Sequence, residues 1–179
     1  YFTGFGKTKR IVFFDTLLSR LEPQEVEAVL AHELGHFKLK HVIKRIAGIF
    51  MVSLGFLWLL GWVLDKPWFY EGLGVSTPST AMALVLFSIV VPVFTFLFQP
   101  LSSMVSRKHE FEADAYACRQ ASGADLARAL LKLHEDNAAT LTPDPLYVRF
   151  FYSHPPAAQR IAAMTGSAAR LAGLSAKPT

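Results

Sequence analysis

At 179 residues the chain has the length of one domain. With 52% hydrophobic against 18% charged residues it falls below the roughly 25% charged fraction of ordinary soluble domains, which argues against a protein wholly in water. Fifteen Phe residues and a mean hydropathy of +0.32 exclude a disordered chain, and the single Cys118 excludes both an intramolecular disulfide and an all-cysteine metal site.

The chain begins at Tyr1 without an initiator Met, a basic leader or a cleavage site, so it reads as part of a longer protein. Tyr1-Phe2-Thr3 and Ile11-Val12-Phe13-Phe14 are β-prone runs that predict a hairpin or two strand pieces. Between them, Gly6-Lys7-Thr8 resembles the end of a phosphate-binding loop. The required glycine five positions earlier is Tyr1, so the segment reads as a basic turn. From Pro23 the apolar residues Val26, Val29, Leu30, Leu34 and Phe37 predict a helix running into the forties.

Residues 46–64 hold no charge and as a helix would be about 28 Å long, close to the thickness of a bilayer core. After a turn with interfacial aromatics, residues 80–101 form a second uncharged stretch, with kinks expected at Pro92 and Pro100. Lys38, Lys40, Lys44 and Arg45 precede the first span and Arg107 and Lys108 follow the second. The connecting loop has only Lys66 against Asp65 and Glu71. The positive-inside rule places both outer segments in the cytoplasm. Because the basic residues flank apolar runs and form no stripe, the net charge of +4 points to membrane topology and not to nucleic acid.

Residues 108–120 continue helically, 122–137 form an amphipathic helix with Leu126, Leu130 and Leu133 inside, and 140–156 read as a proline-rich loop. A last helix starts at Pro155-Pro156 and carries Gln159, Arg160, Ile161 and Met164, before an Ala/Gly/Ser-rich tail that fades towards disorder.

The chemistry is concentrated in His32-Glu33-Leu34-Gly35-His36, an H-E-x-x-H pattern on the helix beginning at Pro23. Its two histidines lie one turn apart on one face and can reach the same zinc, with Glu33 beside them as base. A catalytic zinc needs a third protein ligand. Glu110 and Asp114, four apart, share a helical face, whereas Glu112 points about 160° away from Glu110. Glu110 can therefore supply the third ligand while Asp114, a turn later, accepts a hydrogen bond from the far nitrogen of a ligand histidine. His41, nine positions after His32 and about 180° around a continuous helix, reads as interfacial. His109 and His134 read as bystanders and Cys118 as a small packing residue.

H-E-L-G-H at 32–36 and E-F-E-A-D at 110–114 flank an apolar hairpin, and Tyr152-Ser153-His154-Pro155-Pro156 follows. Together with Lys9-Arg10-Ile11-Val12, Phe14-Asp15-Thr16-Leu17-Leu18 and Ala129-Leu130-Leu131-Lys132-Leu133, they resemble the CAAX prenyl protease 1 family of integral membrane zinc metallopeptidases. The resemblance implies a mainly α, zincin-like core of the gluzincin type with a two-helix transmembrane hairpin and a small N-terminal β element. It implies one catalytic region over 1–179, with one zinc on His32, His36 and Glu110, Glu33 as base and Asp114 behind the ligands. It further implies that His154 and Arg160, in S-H-P-P-x-x-x-R, approach the site, where either is expected to stabilise an oxyanion.

The expected reaction is peptide hydrolysis by an activated water on CAAX-type or other membrane-associated peptides. The substrate would be held as an added strand along Tyr1-Phe2-Thr3, with the active site on the cytoplasmic side. Expected partners are a peptide or protein substrate and membrane lipid, with no nucleic acid; the oligomeric state is not legible. The competing readings are an HtpX-type membrane quality-control protease, which shares both zinc motifs, and a non-catalytic membrane scaffold or pseudoprotease. Three ligands plus a general base argue against the scaffold, because structural zinc sites are normally closed by four.

Overall fold

The computed structural model describes residues 2–3, 10–12, 15–136 and 143–175. The chain folds as two units, one made of residues 1–41 and 102–179 and the other of residues 42–101.

In the first unit, β1 (Phe2–Thr3) pairs antiparallel with β2 (Arg10–Ile11), Phe2 opposite Ile11 and Thr3 opposite Arg10. Tyr1, Phe13 and Phe14 lie outside the described residues. A short helix α1 (Asp15–Arg20) follows, with an acid in its first turn and a base in its last, as the helix dipole favours.

Helix α2 (Pro23–Lys38) starts on a proline whose missing N–H costs nothing there. Glu25 accepts the backbone N–H of Glu22 at 2.9 Å, satisfying a donor at the helix entry. The helix does not run into the forties. It closes with Leu39 N–H on the Gly35 carbonyl, and Lys40 then turns with φ of 58°. That left-handed conformation costs a non-glycine residue about 1–2 kcal/mol. The next helix, α3 (His41–Val63), therefore does not continue α2.

Helix α6 (Gln99–Gln120) brings Glu110, Ala113, Asp114 and Ala117 to buried positions. Helix α7 (Gly123–Asp136) has a strongly one-sided apolar face and packs on α2 and on α9 (Ala157–Ser175). Ala28 and Ala31 from α2, Ala117 from α6, Leu126 from α7 and Met164 from α9 form the core, with Cys118 packed against it. Three of these five are alanines, so the helix axes approach closely. The sharpest approach is at Gly35, where an added Cβ would lie 3.1 Å from Ala113 Cα.

Two expectations for the C-terminal part are corrected. The 140–156 stretch contains a helix, α8 (Pro145–Phe151), capped by Asp144 Oδ1, which accepts from Leu146 N and Tyr147 N at 2.9 Å each. The last carbonyls of α8 find donors on α6. Arg107 reaches Val148 O at 2.9 Å and Tyr152 O at 2.8 Å, and Ser103 Oγ reaches Phe150 O at 3.0 Å. The Ala-rich tail is helical to Ser175, because alanine is the best helix former and four of the residues from Ala162 to Ala169 are alanine.

In the second unit, α4 (Pro67–Glu71) packs against the ends of α3 and α5 (Thr80–Thr95) through Val63, Phe69, Tyr70, Ala83 and Leu86. Tyr70 donates to Leu64 O at 2.7 Å. Helix α5 continues past Pro92 to Thr95, and a 3₁₀ turn over Phe96–Phe98 precedes Pro100, which has no N–H for the Phe96 carbonyl. His41–Val63 and Thr80–Gln120 are long and apolar enough to cross a membrane. Their large side chains, including Phe50, Trp58, Ile89 and Val93, are exposed. Apolar surface on this scale suits lipid better than water.

Candidate metal centre

The i, i+4 spacing on α2 places the imidazoles of His32 and His36 edge to face, with Nε2 atoms 3.1 Å apart. Glu110 of α6 closes a triangle, its Oε1 3.3 Å from His36 Nε2 and its Oε2 3.7 Å from His32 Nε2. Tetrahedral zinc with bonds of about 2.1 Å separates its ligand atoms by about 3.4 Å. The three observed separations bracket that value, and the ligand atoms that the three residues offer all lie within 4.8 Å of one another.

The far nitrogen of His32 explains why its near nitrogen is free to bind. His32 Nδ1 lies 2.9 Å from Asp114 Oδ1. A carboxylate can only accept, so Nδ1 carries the proton and Nε2 keeps its lone pair. Asp114 is itself gripped by Arg160, whose Nε donates to Oδ2 at 2.8 Å and Nη2 to Oδ1 at 2.6 Å. Arg160 Nη1 also stands 3.3 Å from Glu110. Burial alone would push both carboxyls up. For Asp114 the hydrogen bonds from Arg160 and His32 prevail, and for Glu110 the close approach of His154 and His36 together with the Arg160 charge, so both are held below the usual carboxylate range. Arg160 is thus not a surface cation; it is buried, with its fork turned to the two acids.

His154 leaves the S-H-P-P loop with its ring 68% exposed and Nδ1 3.1 Å from Glu110 Oε2, a contact that raises its pKa above the ordinary value. Glu33 is half-buried on α2, and its charge is felt by both His154 and Arg160. The structure therefore brings His32, Glu33, His36, Glu110, Asp114, His154 and Arg160 together. Of the expected substrate strand, Tyr1 lies outside the described residues, and only the main chain of Phe2 and Thr3 is described.

Two residues set aside in the sequence also belong here. The turn at Lys40 carries His41 back over α2, so its Nδ1 lies 3.0 Å from His36 Nδ1 and its Nε2 3.0 Å from Glu112 Oε2. On one unbroken helix it would face the other way. The His109 ring stacks on that of His41 at 4.1 Å and 8°. A left-handed lysine has no compositional signal, so nothing local in the sequence would have placed His41 here.

A family model described as "Peptidase family M48" matches residues 1–168. The chain belongs to this family. Among M48 relatives, it is 37% identical over 169 residues to the CAAX prenyl protease 1 homolog of Arabidopsis thaliana, an alignment covering 93% of this chain and 39% of the relative. CAAX prenyl protease 1 of Saccharomyces cerevisiae is 36% identical, with 92% and 40% covered. The crystal structure of S. mikatae Ste24p superposes with a TM-score of 0.79 at 34% identity, covering 92% of this chain and 41% of that one. The chain thus spans about two fifths of the length of the M48 relatives it matches.

Proposed function

We propose that this M48 chain is the catalytic region, over 1–179, of a zinc-dependent membrane endopeptidase. The observation that carries the reading is the grouping of His32 Nε2, His36 Nε2 and the Glu110 carboxylate, 3.1 to 3.7 Å apart. Three ligands leave a tetrahedral metal one open position, as catalytic sites do. One zinc per chain held there would lower the pKa of a water towards about 7 and polarise the scissile carbonyl.

The remaining roles fall to the chain's own side chains. Glu33 takes a proton from the attacking water and returns it to the leaving amine. His154, exposed and already able to donate, hydrogen-bonds the oxyanion. Arg160, expected as an alternative oxyanion donor, acts instead by gripping Asp114 and offsetting the charge of Glu110, because its fork is turned to those acids. A cavity of about 250 Å³ lined by Leu130, Leu133, His134, His154, Pro155 and Arg160 takes a substrate side chain. An extended peptide adds along Phe2–Thr3, an edge strand of the two-stranded sheet.

The two apolar stretches at 46–64 and 80–101 anchor the protein in the membrane. The distribution of Lys and Arg puts the active site on the cytoplasmic side. Membrane-associated peptides, CAAX-type peptides among them, are the matching substrates. Metal analysis and a peptidase assay on detergent-purified protein test the reading: about one zinc per chain and chelator-sensitive cleavage are expected. Cleavage that survives complete zinc removal contradicts it.

A further inference from the structure

We propose that His41 and Glu112 are positioning residues that hold His36 in the tautomer able to bind the metal, by a hydrogen-bond chain from His36 Nδ1–H to His41 Nδ1 and from His41 Nε2–H to Glu112. The inference rests on the reading of His36 as a ligand.

With His36 Nε2 given to the metal, proton counting sets the direction of each bond. The Glu112 carboxylate has no hydrogen to give, so the proton in its 3.0 Å contact belongs to His41 Nε2. A neutral imidazole carries one N–H, which leaves His41 Nδ1 bare. The 3.0 Å contact between the two Nδ1 atoms then takes its hydrogen from His36. His36 Nε2 is left with a lone pair, and it is this atom that faces Glu110 at 3.3 Å.

His32 and His36 are thus served by two carboxylates of the same helix. Asp114 reaches His32 directly, and Glu112, on another face of α6, reaches His36 through His41. His41 is 3% exposed and roofed by the His109 ring, which keeps water from competing for its nitrogens.

His41, His109 and Glu112 also offer three ligand atoms close together. A metal lies in the plane of each imidazole that binds it, however, and planes only 8° from parallel at 4.1 Å do not meet at a metal between them. The arrangement therefore favours the hydrogen-bond chain.

The test uses detergent-purified protein, with zinc affinity read by chelator competition and folding by the melting of the metal-free form. His41→Phe and Glu112→Ala should each weaken zinc binding about ten- to a hundredfold. Glu112→Gln should keep most of the affinity, because its amide oxygen still accepts from His41. In ¹⁵N spectra of the metal-free, histidine-labelled protein, His36 should appear as the Nδ1–H tautomer, and should lose that preference in His41→Phe. If His41→Phe fails to fold, the contrast between Glu112→Ala and Glu112→Gln decides.

His36→Ala separates the two levels of the argument. Unchanged zinc affinity there would overturn the metal centre itself. Loss of zinc in His36→Ala, with wild-type affinity in Glu112→Ala, would overturn only the chain. A second zinc per chain that disappears in Glu112→Ala would also overturn it, by making the cluster a metal site.

Discussion

A methyl group placed on Gly35 would meet Ala113 Cα and Ala113 O at 3.1 Å each. The glycine of H-E-L-G-H is thus the point at which α6 comes close enough for Glu110 to share a site with His32 and His36. Gly35→Ala should force the two helices apart by a few tenths of an ångström. Overpacking of this kind costs about 1–3 kcal/mol of stability. Zinc affinity should fall with it, since one helix bears two of the proposed ligands and the other the third. A melt and a zinc competition on the variant check both effects; wild-type values in both would mean that the contact is slack.

Glu33→Gln separates binding from chemistry. The ligands are untouched, so zinc content should remain at wild-type level. Peptide turnover should drop about a hundredfold to ten-thousandfold with loss of the base. Turnover near wild type would assign proton transfer to another group.

His154 should act on the chemical step and little on the fold. Its ring is largely exposed and its described contact is with Glu110. His154→Ala should therefore melt nearly normally while turnover falls about a hundredfold to a thousandfold, the usual loss for an oxyanion donor. A lowered Tm with normal turnover would reduce His154 to a structural role.

Glu25 gives the fold a predictable pH response. It is buried, receives Lys132 Nζ at 2.7 Å and the backbone N–H of Glu22 at 2.9 Å, and lies 3.7 Å from Arg128. The Lys132 hydrogen bond, then that of Glu22, holds its carboxyl below the ordinary value of 4.5. A carboxyl depressed in the folded state binds its proton less tightly there than in the unfolded chain. Its stabilising contribution is therefore complete above the unfolded pKa and is lost as pH falls through the folded one. Glu25→Gln keeps the cap oxygen and removes the charge. The Tm gap between wild type and variant should be largest near neutrality and shrink as the pH falls below the ordinary carboxyl value of 4.5. A constant gap would show that the charge contributes nothing.

How much of this was legible depends on how local the cause is. His32 and His36, like Glu110 and Asp114, are i, i+4 pairs, so the helical period alone puts each pair on one face. Residues 46–64 and 80–101 declare themselves by the absence of charge. The grip of Arg160 on Asp114 depends on how α9 packs against α6, and no short-range pattern encodes that. The helix at Pro145 was hidden by a proline-rich context, although Asp144-Pro145 is a good helix start. His41 was misplaced for one reason, a single backbone angle at Lys40.

Helix α6 carries Ser103 and Arg107, which hold the carbonyls of α8, and then Glu110, Glu112 and Asp114, which hold the centre. All five are read off one rigid screw in which each residue advances about 100° and 1.5 Å. A residue inserted or deleted between Ser103 and Asp114 would turn one group of side chains away from the other by more than a quarter revolution. Substitutions along this stretch can be absorbed one at a time, but a change of length cannot. In the 72–79 loop the same insertion changes no helical phase, so variation in length has room to accumulate there and almost none along α6.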